Sequence, residues 1–234
     1  MNWFAPPIWE GAECWIIGGG SSIPYEFGVP EEIIKGVTFG ERKSSAYSEY
    51  LAPIHDKHII GINNVYQIGD WIDVEFFGDN AWYLAHRIAL ARWHGLKISC
   101  APRFDKNKGK EGIKYLAKNK DKKYGITSDP TMVSWNQNSG CAAISIAHHF
   151  GVKRIILLGF DMSLGAGNIS HWHGSHGNLR RKALKRGNKD PFRKHLEGFP
   201  QIAKDAEDMG IEIINASSIS TIKEFPKVPL KYLL

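Results

Sequence analysis

The run Trp15-Ile16-Ile17-Gly18-Gly19-Gly20-Ser21-Ser22 joins a short apolar stretch to three consecutive glycines and two hydroxyls. A strand that ends in such a turn lets backbone N–H groups come close to a phosphate or a nucleotide. The spacing is not GxGxxG, because the third glycine of that pattern is missing, and no GK[ST] follows as in a P-loop. A plain tight turn is the competing reading. Further along, Ser139-Gly140-Cys141-Ala142-Ala143 opens a helical run. Small side chains there let a helix N-terminus lie against a sheet and face an anion. A packed βα unit with a capping serine explains the same residues. The strand after it ends in Gly159-Phe160-Asp161. The third feature is His171-Trp172-His173-Gly174-Ser175-His176. Its imidazoles can serve as a general base near neutral pH, hold zinc, or sit in a structural loop. His148-His149 reads as a half-buried structural pair inside a helix. Trp82 and Trp172 flank strand-end loops, where an indole either stacks on a base or sugar ring or joins the core.

Something must bring these residues together, and the hydrophobic pattern says what. Short apolar runs alternate with longer amphipathic ones, the signature of an α/β fold: a Rossmann-like, mostly parallel sheet flanked by helices. Strands are expected at Glu13–Ile17, His58–Ile62, Ile72–Phe77, Leu96–Cys100, Lys153–Gly159 and Ile211–Asn215. Helices are expected at Val29–Lys35, Asn80–His94, Ser139–Phe150 and Gly198–Met209. The apolar runs stop at Gly18 to Gly20, Asn63, Asp79, Asp161 and Asn215. In an open parallel sheet those ends share one edge, and ligands bind there. Turn chemistry alone also places Gly and Asn at such ends.

The chain has 234 residues and a formal charge of +6. That length fits one domain, residues 1–234. Two segments hold most of the positive charge. Residues 106–123 carry eight Lys or Arg against two acids, and residues 180–194 carry eight against one, so the remainder is acidic. Such segments are either solvated loops or attract a polyanion such as a nucleic acid. No apolar run reaches the roughly 18 residues of a membrane span. The start, Met1-Asn2-Trp3-Phe4-Ala5-Pro6-Pro7, does not read as a signal peptide. Cys14, Cys100 and Cys141 are far apart and read as core residues of a reducing compartment. The expected location is the cytoplasm.

In their order along the chain, GGGSS, IIGINN (Ile59–Asn64), WIDVEFFGD (Trp71–Asp79), NSGCAAISIAHHFGVKRIILLGFDM (Asn138–Met162), the histidine loop and GIEIINASSISTIKEFP (Gly210–Pro226) resemble the bacterial sialyltransferases of glycosyltransferase family 42. They also resemble the related domains of archaeal 6-hydroxymethylpterin diphosphokinase and phage proteins of unassigned role. The resemblance spans about three quarters of the chain, and its most specific part is the Ser-Gly helix followed by the strand ending in GFD. It implies a nucleotide held by Gly18, Gly19, Gly20, Ser22, Asn63, Asp79, Ser139, Gly140, Gly159 and Asp161. The HxxGH catalytic loop of the sialyltransferases matches HWHGSH, which makes His173 or His176 the base, with His171 behind them. Three departures stand out. Gly19 replaces an Asn, Asn136 replaces an Arg, and the tyrosines that steady the leaving phosphate have no counterpart. Arg180, Arg181 or a histidine would then supply that stabilisation.

The implied activity is an inverting transfer from a nucleotide sugar, CMP-type or similar, to a hydroxyl-bearing acceptor, with a histidine base and no required cofactor or metal. One alternative is an ATP-dependent diphosphokinase acting on a small alcohol such as a pterin, with Mg²⁺ on Asp79 and Asp161. Another is a nucleic-acid or polyanion binder, including a DNA-modifying phage protein, acting through segments 106–123 and 180–194.

Overall fold

The computed structural model describes residues 3–106, 110–174 and 192–234. His176, Arg180 and Arg181, with most of the second basic segment, lie outside the described residues. Nine strands are formed among the described residues: β1 (Glu13–Ile17), β2 (His58–Ile62), β3 (Val74–Phe77), β4 (Leu96–Ser99), β5 (Ile113–Tyr115), β6 (Ala117–Lys118), β7 (Met132–Val133), β8 (Arg154–Leu158) and β9 (Glu212–Asn215). Seven of them make one all-parallel sheet in the order β5-β4-β3-β2-β1-β8-β9. β6 and β7 form a separate parallel pair. The fold is α/β and Rossmann-like, as the alternating pattern predicts.

Helices cover both faces. α1 (Ile23–Glu26), α2 (Glu31–Thr38) and α3 (Asn80–Arg92) lie on one side with the 3₁₀ stretch Ser44–Ile54. α5 (Ser139–His149) and α7 (Phe199–Asp208) lie on the other. The short helices α4 (Arg103–Lys106) and α6 (Arg193–Leu196) sit in connecting segments. Alternation along β1 shows how the layers are fed. Cys14 and Ile16 join the α5 side, and Trp15 and Ile17 join the α2 side, all four fully buried. A strand buried on both faces reads as a continuous apolar run, which is why β1 and β8 were legible. No described helix is long and apolar enough to cross a membrane.

The topology fixes where a ligand belongs. β1 leads to β2 on one side, whereas β8, its other neighbour, leads away to β9. The strand order therefore reverses between β1 and β8, and the crevice beyond the carboxyl ends at such a reversal is the ligand position of open α/β sheets.

The first basic segment is not all loop. It contains β5 and β6, because Ile113 and Leu116 are buried and anchor it to the edge of the sheet. Three of its lysines have fixed neighbours. Lys122 pairs with Asp205 at 2.8 Å, Lys123 lies over the Tyr124 ring and Lys118 over the Trp135 ring.

One carboxyl is unusual. Glu75, in the middle of β3, is 0% exposed. Its Oε2 accepts from the Tyr66 N–H at 3.2 Å, and its Oε1 has no partner. Burial pushes its pKa well above the ordinary carboxyl value, and the Tyr66 bond offsets this only in part. A carboxyl raised on folding stabilises fully in acid, and that contribution is lost as pH rises from the ordinary value toward the folded one. Glu75→Gln removes this loss. Its melting temperature should exceed the wild-type value at pH 8 and approach it near pH 4, and parallel curves would contradict the assignment.

Candidate functional site

The triple-glycine turn leaves β1 and folds directly onto the end of β8. The Gly20 N–H donates to the Gly159 carbonyl at 2.8 Å. Asp161, 2% exposed, braces the turn: its Oδ2 accepts from the Ser22 N–H at 2.9 Å and its Oδ1 from the Ser22 hydroxyl at 2.6 Å. Ser21 Oγ lies 3.5 Å from Oδ2. Burial raises the Asp161 pKa, and the Ser22 hydrogen bonds pull it back. A Cβ on Gly20 would stand 2.5 Å from both the Gly159 oxygen and the Asp161 carboxyl carbon. Glycine is thus demanded here by contact between two strand ends of the protein itself.

The histidine loop lies over this turn. The Trp172 N–H donates to the Gly19 carbonyl and its indole N–H to the Gly18 carbonyl, both at 3.1 Å. Trp172 is 1% exposed and edge-on to Tyr47, so it is a core anchor and not a stacking platform. Trp82 is buried as well, donating to Asn64 Oδ1 at 2.8 Å and stacked on His86. The His171 ring packs against Gly19, with Nδ1 2.7 Å from Ser170 Oγ, and the His173 ring lies 5.2 Å from it. Both histidines are partly exposed.

α5 brings its N-terminus to the same edge. Its cap is Asn138, not Ser139: Asn138 Oδ1 accepts from the Gly140 N–H at 2.9 Å and the Cys141 N–H at 3.4 Å. Gly140 packs against the Phe160 ring, which ties α5 to the end of β8. At the other strand ends, Asn63 is partly exposed beyond β2, and Asp79 is exposed but caps α3 through the Ala81 and Trp82 amides. Asn136, where the family pattern has an Arg, is fully buried and brackets Gly125 with hydrogen bonds of 2.8 and 3.0 Å. Left-handed backbone gathers at this edge: Asn63, Asn136, Gln137 and Met162 have φ of 60°, 51°, 55° and 49°. Asparagine tolerates that conformation, whereas Gln and Met do not favour it, and such strain clusters at functional sites.

One histidine was not singled out from the sequence. His195, in α6, is exposed, and its Nδ1 lies 2.8 Å from the Gln137 carbonyl. A carbonyl oxygen only accepts, so Nδ1 carries the proton and the neutral ring keeps its lone pair on Nε2. The Asn138 side-chain amide also donates to the His195 carbonyl at 3.3 Å. Beside it, Tyr124 donates to Glu197 at 2.5 Å, and the Gln137 amide reaches both at 3.0 Å. His195 was hidden in a run of basic residues, with no spacing to mark it.

His149 fits the structural reading, its Nε2 donating to the Met132 carbonyl at 2.9 Å and burial lowering its pKa to about 4. The three cysteines are free and buried. Among the described residues no group of three or more His, Cys, Asp or Glu is arranged to hold a metal. Asp79 and Asp161 do not fit Mg²⁺, since one caps a helix and the other is enclosed by two serines. A shallow concavity of about 490 Å³, lined by residues such as Arg42, Ser45 and His55, lies apart from the strand ends. It shares no residue with the constellation above.

No family model and no curated protein matches the chain. Among solved structures, a single-residue variant of the sialyltransferase CST-II in complex with CMP is similar at 15% identity and a TM-score of 0.50, over 92% of this chain and 86% of that one. CstII from Campylobacter jejuni in complex with CMP-3FNeuAc gives 14% and 0.49, over 92% and 85%. The MAf glycosyltransferase from Magnetospirillum magneticum AMB-1 gives 13% and 0.49, over 97% of this chain and 36% of that one. At 15% identity the likeness to the CST-II variant is one of fold, and it agrees with the α/β sheet described above.

Proposed function

We propose that the chain is a nucleotide-sugar-dependent glycosyltransferase with a CMP-type or similar donor. What supports this most is the meeting, at the β1/β8 reversal, of the glycine turn, the His171–Gly174 loop, the α5 N-terminus and an exposed imidazole. In this reading the nucleotide lies across the strand ends, with Gly18 to Gly20, Asn63, Ser139 and Gly140 around it. Asp161 shapes the turn from beneath. His195 Nε2 accepts the proton of an acceptor hydroxyl. The hydroxyl oxygen bonds to the anomeric carbon as the bond from that carbon to the phosphate oxygen breaks. The nucleotide leaves with that electron pair, and one in-line displacement inverts configuration. His171 and His173 border the donor on the other side, with Arg180 and Arg181 kept as candidates for the leaving phosphate. No step requires a metal.

The test is a panel of CMP-, UDP- and GDP-sugars followed for donor hydrolysis, with thermal shift by the free nucleotides. Turnover and a shift with one nucleotide class are expected. Absence of both across the panel overturns the reading. ATP-dependent AMP release abolished by EDTA would establish the diphosphokinase instead.

A further inference from the structure

Beyond the ends of β3 and β4, Trp135 lies against Gly78, and Gly78 is glycine because a Cβ there would enter the indole ring. The same Cβ would be 3.2 Å from Cys100 Sγ, so Gly78, Cys100 and Trp135 form one contact at the carboxyl edge. Lys118, just past the end of β5, holds its ammonium 3.6 Å from the Trp135 ring centroid. Its charge is felt by the Cys100 thiol, whose pKa is raised chiefly by burial and lowered by Lys118. Among the described residues no carboxylate pairs with Lys118, whereas Lys122 is matched by Asp205.

An indole face fixes a cation in place without cancelling its charge. A carboxylate partner would fix it too, but would neutralise it. Lys118 is therefore a positioned, uncompensated positive charge at the carboxyl edge of the sheet, and the Trp135 ring that holds it belongs to the residue three before the α5 cap Asn138. We propose that Lys118, held by Trp135, is an anion-binding residue that contacts a phosphate group of the ligand at this edge. The proposal rests on the nucleotide reading above and adds a cation that no motif indicated. It also gives Gly78 a role: it makes room for the ring that carries the charge.

The experiment is calorimetric binding of CMP and of inorganic pyrophosphate to the full chain, at low and high salt, for wild type, Lys118→Met, Trp135→Phe and Lys120→Met. Lys118→Met should weaken both ligands about tenfold and flatten the salt dependence, since one charge contact is lost. Trp135→Phe should weaken them less, and the exposed Lys120→Met should leave them unchanged. Equal loss from Lys118→Met and Lys120→Met, or none from Lys118→Met, overturns the proposal. Wild type that binds neither ligand while folded would sink the nucleotide reading itself, which separates the two failures.

Discussion

Replacing His195 by alanine should lower turnover by about 10²–10⁴-fold, the range expected for removing a general base, while leaving nucleotide affinity nearly unchanged. The ring is exposed, so truncation leaves no cavity, and the fold should melt as before. The Gln137 carbonyl fixes which nitrogen is basic, and that makes a sharper test possible. His195→Gln can keep a donor to the carbonyl yet has no basic nitrogen, so it should be folded, nucleotide-binding and as inactive as alanine. His171→Ala and His173→Ala serve as the comparison. Full turnover in His195→Ala with inactivity in His173→Ala would move the base to the loop over the glycine turn and refute the assignment made above.

Gly20→Ala should be strongly destabilising. Its Cβ would sit 2.5 Å from a backbone oxygen and 2.5 Å from a carboxyl carbon already clamped by Ser22. Neither neighbour is the free end of a flexible side chain, so the ends of β1 and β8 must part. Overpacking of this kind costs about 3 kcal/mol, a fall in melting temperature of roughly 6–12 °C for a chain of this size. Nucleotide binding should fall with it, because the turn is the part displaced. Asp161→Asn probes the same brace from the other side by placing an NH₂ donor where Ser22 now donates, at a cost of about 1–3 kcal/mol. Unchanged urea midpoints for both variants would show that the β1–β8 brace does not stabilise the fold.

Much of this architecture can be read in the residues. β1, β2, β8 and β9 are apolar runs of strand length bounded by Gly, Asn or Asp, and the structure has them within a residue or so of their expected ends. β5, β6 and β7 were not legible. They are two or three residues long and polar in part, and only their pairing partners make them strands. The two tryptophans follow the core reading rather than the stacking one. Position beside a strand end does not say which way an indole points, and Trp82 and Trp172 both turn inward to donate a hydrogen bond. Asp161 stands just past the end of β8 but faces its own chain, because Ser21 and Ser22, 140 and 139 residues earlier, reach it. The proximity of His195 to Asn138 is likewise tertiary, and no local pattern encodes it.

The pairing of β1 with β8 also constrains how the chain assembles. Cys14 aligns with Ile155 and Ile17 with Leu158, so β1, an interior strand of the sheet, gains its second neighbour only after residues 154–158 have been made. During synthesis, β1 to β5 can associate one after another from the ribosome, leaving one flank of β1 open and apolar. Non-local closure of this kind is slow and exposes sticky edges while it waits. Nascent chains that stop short of β8 should therefore be the species that chaperones hold, and the crevice at the β1/β8 reversal forms only with that docking.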